Sequence, residues 1–332
     1  MKRHVLLLLT ALLPPAFAQA APPSYNAMLE GFTYPWPVNE FTFESQGKTL
    51  SMAYMDLKPQ QPNGQTLVLM HGKNFCAATW ENTARELVAQ GYRVILPDQI
   101  GFCKSSKPEG YQFSFQQLAL NTHDLLTQLG VAQATVMGHS MGGMLATRYA
   151  LMYPQQTQRL VLVNPIGLED WKALGVPWQS IDKSFQGELK TTFDSIKKYQ
   201  QSTYYAGEWK PEYDHWVNMQ AGMYNGPDKE VVAWQQAQTT DMVYNQPVVY
   251  EFPHLKMPTL LLIGDKDNTA INKALAPDAL KPSLGNYPEL GKRAAEAIPH
   301  ATLVNFPHLG HSPQIQDPQA FNRALLGWLK QG

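Results

Sequence analysis

Val136-Met137-Gly138-His139-Ser140-Met141-Gly142-Gly143 is a Gly-x-Ser-x-Gly stretch. β-type residues precede it (Ala134, Thr135, Val136), and helix-type residues follow it from Met144 to Ala150. Strand, sharp turn, helix is the context in which a serine becomes a nucleophile. Glycines at such a turn leave room where a Cβ would not fit. The turn presents Ser140 at its tip and puts the Met141 N–H at a helix N-terminus, where negative charge is favoured. Alone, the motif is weak: with Gly at about 7% and Ser taken as similar, chance gives roughly 0.1 matches in a chain this long. Its meaning depends on whether the chain also supplies a base, an acid and a second oxyanion donor.

Outward from the elbow, the same rhythm repeats. Residues 66–70 form a short unbroken apolar run, as a strand buried on both faces requires, and end in His71-Gly72-Lys73-Asn74. A helical stretch at 80–89 leads to a second buried strand at 92–96, which ends in Pro97-Asp98-Gln99-Ile100-Gly101. Residues 114–129 read as a helix, with Ser114 as N-cap and Gly130 as its stop. A further strand at 160–163 ends at Asn164-Pro165. Upstream, alternating runs at 40–44 and 49–57 flank Gln46-Gly47-Lys48 as a β-hairpin. Strands alternating with helices predict an α/β fold with a mostly parallel central sheet.

The rhythm breaks over residues 167–257, which hold no clean buried strand but many aromatic residues, among them Trp171, Trp178, Tyr204, Tyr205, Trp209, Tyr213, Tyr224 and Trp234. Helical patterning at 184–199 and 227–237 predicts an inserted, mainly helical cap. Most of its rings should form the cap's own core, and a minority should line a pocket. The sheet pattern resumes at 259–263, followed by Gly264-Asp265-Lys266-Asp267. A helix at 289–297, a last strand at 301–306, the run Pro307-His308-Leu309-Gly310-His311-Ser312-Pro313 and a closing helix at 318–329 complete the chain. The expected division is a signal peptide at 1–20, an N-terminal arm at 21–37, a first core part at 38–166, the cap at 167–257 and a second core part at 258–332.

Of the 332 residues, 44% are hydrophobic and 16% charged, so a large core is available and disorder is excluded for most of the chain. A formal net charge of -1 with no Lys/Arg run leaves no electrostatic footprint for nucleic acid or an acidic membrane surface. Lys2 and Arg3, the apolar run 5–13 and the small-residue sites at 16–18 or 18–20 read as a secretory signal. That run is about half the roughly 20 residues a spanning helix needs, so no membrane segment is expected in the mature chain. A periplasmic or secreted location permits a disulfide between the only two cysteines, Cys76 and Cys103, which fall on loops at one edge of the sheet. Neither has the neighbours of a metal site, and no Gly-rich phosphate loop appears, so no metal or cofactor is expected.

Serine needs a base, and the base needs orienting. His311 and Asp267 lie in the loops after the last two strands, giving the chain order Ser140, Asp267, His311. His308 and Asp265 are the rivals for the two partner roles. Asp98 reads as a structural loop residue, and His71 and His139 as orienting or packing groups. The Met141 N–H is one expected oxyanion donor, and the second is the Lys73 N–H, with Asn74 close behind. Taken together, His71-Gly72, the run from Asp98 to Ser105, Gly138 to Gly143, Gly264 to Asp267 and Gly310-His311-Ser312-Pro313 resemble the α/β-hydrolase superfamily in its capped branch. The resemblance spans about residues 40–331 outside the cap's details. It implies the α/β-hydrolase fold and a Ser-His-Asp triad. Ser140 stands where the dehalogenases and epoxide hydrolases of that fold carry Asp, and Lys73 stands where hydrolases of carbon–carbon bonds carry a Gly-rich run. Cys103 replaces a usual Gly. The expected function is an exported serine hydrolase that cleaves an ester or related acyl bond of a mostly apolar small molecule. The alternatives are a cofactor-free haloperoxidase or perhydrolase, and a non-catalytic ligand-binding protein.

Overall fold

The computed structural model describes residues 22–331. The expected signal peptide at 1–20 lies outside them. One eight-stranded sheet has the order β1-β2-β4-β3-β5-β6-β7-β8. In sequence the strands are β1 (Asn39–Ser45), β2 (Lys48–Leu57), β3 (Thr66–Met70), β4 (Arg93–Pro97), β5 (Ala134–His139), β6 (Thr157–Val163), β7 (Thr259–Gly264) and β8 (Ala301–Phe306). β1 and β2 pair antiparallel, and β2 runs antiparallel to β4. From β4 to β8 every pairing is parallel. Register is carried straight through the middle: Met137 faces Leu69 on one side and Val161 on the other.

Burial follows from that order. β5 and β7 are buried at every residue, as strands covered on both faces must be. β1, at the antiparallel edge, alternates buried with exposed residues. The helices of the core are α1 (Glu81–Ala89), α2 (Phe115–Gln128) and α3 (Met141–Met152) before the insertion. Ser114 caps α2 by accepting the Gln117 N–H at 3.0 Å. α3 packs on β3, β5 and β6 and also against α2.

Between β6 and β7 the chain contains no strand. It holds α4 (Trp171–Leu174), α5 (Ile181–Glu188), α6 (Phe193–Tyr199), α7 (Asp214–Tyr224) and α8 (Lys229–Asn245). The helix read over 184–199 is two helices. Thr192 forms a capping box with Ser195 and restarts the chain as α6. α8 runs on past 237 to Asn245, and α7 has no counterpart in the sequence reading. Both are buried along much of their length and lack a sharp polar face, so their periodicity is faint. α6 passes directly into a π-helix at Gln200–Tyr204, a form that concentrates at functional sites. After β7 come α9 (Tyr287–Ala297), α10 (Pro313–Gln316) and α11 (Pro318–Leu329). α9 lies on β7 and β8, and α11 lies against α1 and β7.

The N-terminal arm bonds to both the insertion and the core. The arm's Tyr25 N–H reaches the Gly222 carbonyl of α7 at 2.8 Å, and its Tyr34 hydroxyl donates to Asp98 at 2.6 Å. Asp98 also accepts the Ala77 and Lys104 N–H groups. It is therefore the structural loop residue expected. Beside it, Cys76 and Cys103 form a disulfide with Cα atoms 5.8 Å apart. The bond closes 27 residues of chain, which restricts the unfolded state by about 3–4 kcal/mol. The double variant Cys76→Ser/Cys103→Ser should lower the urea midpoint and steepen the slope, because the released unfolded chain exposes more surface. An unchanged midpoint would show that the bond adds nothing to stability.

Candidate active site

The elbow is built by close approach. A Cβ on Gly138 would lie 1.9 Å from the Gly142 carbonyl oxygen, and one on Gly142 would lie 2.3 Å from the Met70 carbonyl oxygen. A Cβ on Gly143 would meet Pro165 at 2.5 Å. These three glycines let β5, α3 and the loop after β3 meet at one point. Ser140 turns the corner with φ 58 and ψ -123, a conformation that side-chain-bearing residues rarely adopt. Backbone hydrogen bonds hold it there: the Ser140 N–H donates to Val163, and its carbonyl accepts from Gly143 and Ile166.

At the ends of β7 and β8 the structure brings Asp267 and His311 together. His311 Nδ1 lies 2.6 Å from Asp267 Oδ2, with both side chains buried. The other carboxylate oxygen accepts the Thr269 N–H at 2.9 Å and the Thr269 hydroxyl at 2.7 Å. Geometry also separates the rivals. Asp265 holds Asn305, at 2.5 Å, and His308 is exposed. His311 is thus left with Nε2 as its uncommitted ring nitrogen. Among the described residues no hydrogen bond joins it to Ser140 Oγ. The two loops are linked one residue away, by His139 Nε2 and the His311 carbonyl at 2.7 Å.

His71 and His139 are occupied. His71 bonds the Gly72 carbonyl through Nδ1 at 2.8 Å and accepts the Gln99 N–H at Nε2 at 3.0 Å. Burial lowers its pKa, and burial followed by the nearby His311 lowers that of His139 well below the ordinary value. Both stay neutral near pH 7 and serve as struts. The loop after β3 lies against the nucleophile, since a Cβ on Gly72 would come within 2.8 Å of Ser140 Cβ. That places the Lys73 backbone beside the elbow. The Lys73 side chain turns to the insertion, donating to Gln236 Oε1 at 2.8 Å and to Glu188 Oε1 at 3.3 Å. Met141 opens α3, so its N–H has no acceptor within the helix.

Three residues that matter here were not singled out from sequence. Asn164, at the end of β6, donates through Nδ2 to Asp267 Oδ2 at 2.9 Å while its side-chain Oδ1 accepts the Gly264 N–H at 2.8 Å. Its position at a strand end beside β7 was the available signal. Tyr204 stacks on the His311 ring with centroids 5.2 Å apart and accepts a hydrogen bond from Asn74 at 2.9 Å. The π-helix carbonyls of Thr203 and Tyr204 accept the His311 and Ser312 N–H groups at 3.1 and 3.2 Å. Phe75 completes the contact, 5.0 Å from Tyr204 and 4.7 Å from His139. One turn of the insertion therefore touches both the Lys73 loop and the His311 loop. Among the described residues, the one His/Cys/Asp/Glu group spaced for a metal is Cys76, Asp98 and Cys103. Its sulfurs are joined to each other and its carboxylate is already hydrogen-bonded.

A family model described as the alpha/beta hydrolase fold matches residues 65–318. The chain belongs to the α/β-hydrolase family. Among curated relatives of this hydrolase, Lipase 1 of Psychrobacter immobilis is 28% identical, covering 81% of this chain and 79% of that protein. The 2-hydroxy-6-oxononadienedioate/2-hydroxy-6-oxononatrienedioate hydrolase of Comamonas testosteroni is 27% identical, covering 81% and 89%. A probable hydrolytic enzyme from Pseudomonas aeruginosa PAO1, solved as a crystal structure, is 65% identical with a TM-score of 0.92, covering 93% of this chain and 99% of that one. An esterase from Exiguobacterium antarcticum shares the fold at a TM-score of 0.68 and 20% identity. No helix among the described residues is long and apolar enough to cross a membrane.

Gly142→Ala would drive a methyl group into two backbone carbonyls, those of Met70 and His71. It should cost more than about 4 kcal/mol or abolish soluble folded protein in a denaturation assay. A variant as stable as the parent would contradict the close approach described.

Proposed function

We propose that this α/β-hydrolase is an exported serine hydrolase that cleaves an ester or related acyl bond of a small molecule through Ser140, His311 and Asp267. The observation that carries the reading is the buried Asp267–His311 pair beside the strained Ser140 elbow. In the mechanism, Ser140 Oγ attacks the carbonyl carbon while His311 Nε2 accepts its proton. Asp267 fixes the imidazole as the Nδ1–H tautomer and stabilises its charged form. The carbonyl oxygen becomes an oxyanion between the Met141 and Lys73 N–H groups, each such donor lowering the barrier by about 3 kcal/mol. His311 returns the proton to the departing alcohol. Water, deprotonated by His311, then attacks the acyl-enzyme, and Ser140 leaves with the proton. The disulfide supports an oxidising compartment, in keeping with the signal read at 1–20.

With 4-nitrophenyl acetate as substrate, Ser140→Ala should abolish turnover. Asp267→Asn should lower kcat by on the order of 10⁴ by favouring the wrong tautomer. Both variants should keep the parent's circular dichroism. Turnover retained in folded Ser140→Ala would remove the serine from the mechanism.

The bridge from Asn74 through Tyr204 to His311 gives a second test. Tyr204→Phe and Asn74→Ala should each lower kcat about tenfold with KM within twofold, and the double variant should be no worse than either. Additive losses would mean that the two side chains act separately.

A further inference from the structure

The loop after β3 lies against Ser140, and the N–H groups of its residues Lys73, Asn74 and Cys76 donate to nothing among the described residues. An amide that is to receive an oxyanion has to be free of acceptors in the protein. The consequence is that such a loop cannot be held by its own backbone. Within residues 73–76 the one N–H that donates is that of Phe75, to the Gly72 carbonyl at 3.1 Å. The side-chain hydrogen bonds of Asn74 and Lys73 run to the insertion, at Tyr204, Gln236 and Glu188, and not to the core. The ties to the core lie just beyond the free amides. They are the Cys76–Cys103 bond and the Ala77 N–H on Asp98 Oδ1 at 2.8 Å.

Cys103 is held in the opposite way. Lys107 Nζ donates to the Cys103 carbonyl at 2.6 Å and to the Ser105 carbonyl at 2.9 Å. Ser105 Oγ donates to the Asp98 carbonyl at 2.6 Å and accepts the Ala53 N–H of β2 at 2.8 Å. The Gly101 N–H reaches the Ser106 carbonyl at 2.8 Å, and the Ser106 N–H reaches the Ser51 carbonyl of β2 at 2.9 Å. The loop after β4 is thus stitched to the sheet around Cys103. Cys103 itself has φ 47, in the left-handed region that favours glycine. What a cysteine adds at that position is the bond. The disulfide, buried at both ends, joins a loop that the sheet holds firmly to one whose amides stay free.

We propose that the Cys76–Cys103 bond positions the oxyanion amides: it carries the rigidity of the loop after β4 to Lys73 and Asn74, so that turnover depends on it beyond the stability it adds. The proposal rests on the serine-hydrolase reading above. A slightly misplaced donor still tolerates the bound ester, but it stabilises the charge that develops on the carbonyl oxygen less well. The loss therefore falls on kcat and not on KM.

Cys76→Ala/Cys103→Gly removes the bond and suits the left-handed φ. Assayed with 4-nitrophenyl acetate well below its melting temperature, the folded variant should lose about tenfold in kcat with KM within twofold. Removing an oxyanion donor outright costs about 100-fold or more, and a loosened donor should cost part of that. The inhibition constant of a trifluoromethyl ketone, which forms a tetrahedral adduct with a catalytic serine, should rise by a similar factor. A bond that only stabilises the fold would move neither quantity in folded protein. A kcat within twofold of the wild type, or a lowered kcat with unchanged ketone inhibition, would overturn the proposal and leave the hydrolase reading standing. If the variant does not fold, the wild type is reduced with tris(2-carboxyethyl)phosphine under native conditions, and the freed thiols are counted by alkylation and mass spectrometry. Turnover that falls in step with the freed thiols at constant circular dichroism supports the proposal, and turnover kept by the reduced protein overturns it. If the wild type neither turns over the ester nor is inhibited by the ketone, the hydrolase reading itself fails and the positioning role with it.

Discussion

Three chain segments converge on Ser140 at distances shorter than a methyl group allows. Gly138, Gly142 and Gly143 have no Cβ because the carbonyls of Gly142 and Met70 and the ring of Pro165 occupy the places where one would sit. This constraint sets the rest of the architecture. It fixes the serine backbone at positive φ, starts α3 with its N-terminal N–H groups at the turn, and brings the loop after β3 alongside. A site that stabilises charge on a carbonyl oxygen needs that crowding, because donors placed in advance need no reorganisation when the charge develops.

The second layer is electrostatic. Asp267 is buried, and a buried carboxylate is tolerable only with its lone pairs occupied. His311, Asn164 and the two Thr269 donors occupy them. Asn164 at the same time ties the end of β6 to the start of the loop after β7. The π-helix does the matching task for the histidine loop, with two carbonyls on its N–H groups and the Tyr204 ring on the imidazole. The insertion is thus part of the scaffold that orients the proposed base, in addition to roofing the site.

Much of this was legible in the sequence where covalent chemistry or sheet order restricts the choice of residue. The apolar runs that became β3, β5, β6 and β7 could be read directly, because strands buried on both faces have no polar side. Ser140 and Asp267 stood out because each falls just past one of those strands, and His311 because it follows the last strand, β8. What could not be read depends on contacts between distant segments. Tyr204 meets Asn74 across 130 residues of chain, and Lys73 meets Gln236 across 163. The insertion's helices misread in the same way. α7 is buried on several sides and lacks the amphipathic pattern that marks a helix, α8 is legible only over its first part for the same reason, and a local capping box divides α5 from α6. Of the aromatic residues that suggested an apolar pocket, Tyr204, Tyr205, Trp209 and Tyr213 form a cluster of their own, and Trp171, Tyr224 and Tyr244 join the main core.

That Ser140 is the nucleophile is read most directly by covalent labelling with a fluorophosphonate, followed by peptide mapping. One adduct per chain is expected, on Ser140, and none in folded Ser140→Ala. No adduct on the folded wild-type protein, or an adduct on another residue that persists in Ser140→Ala, would contradict it.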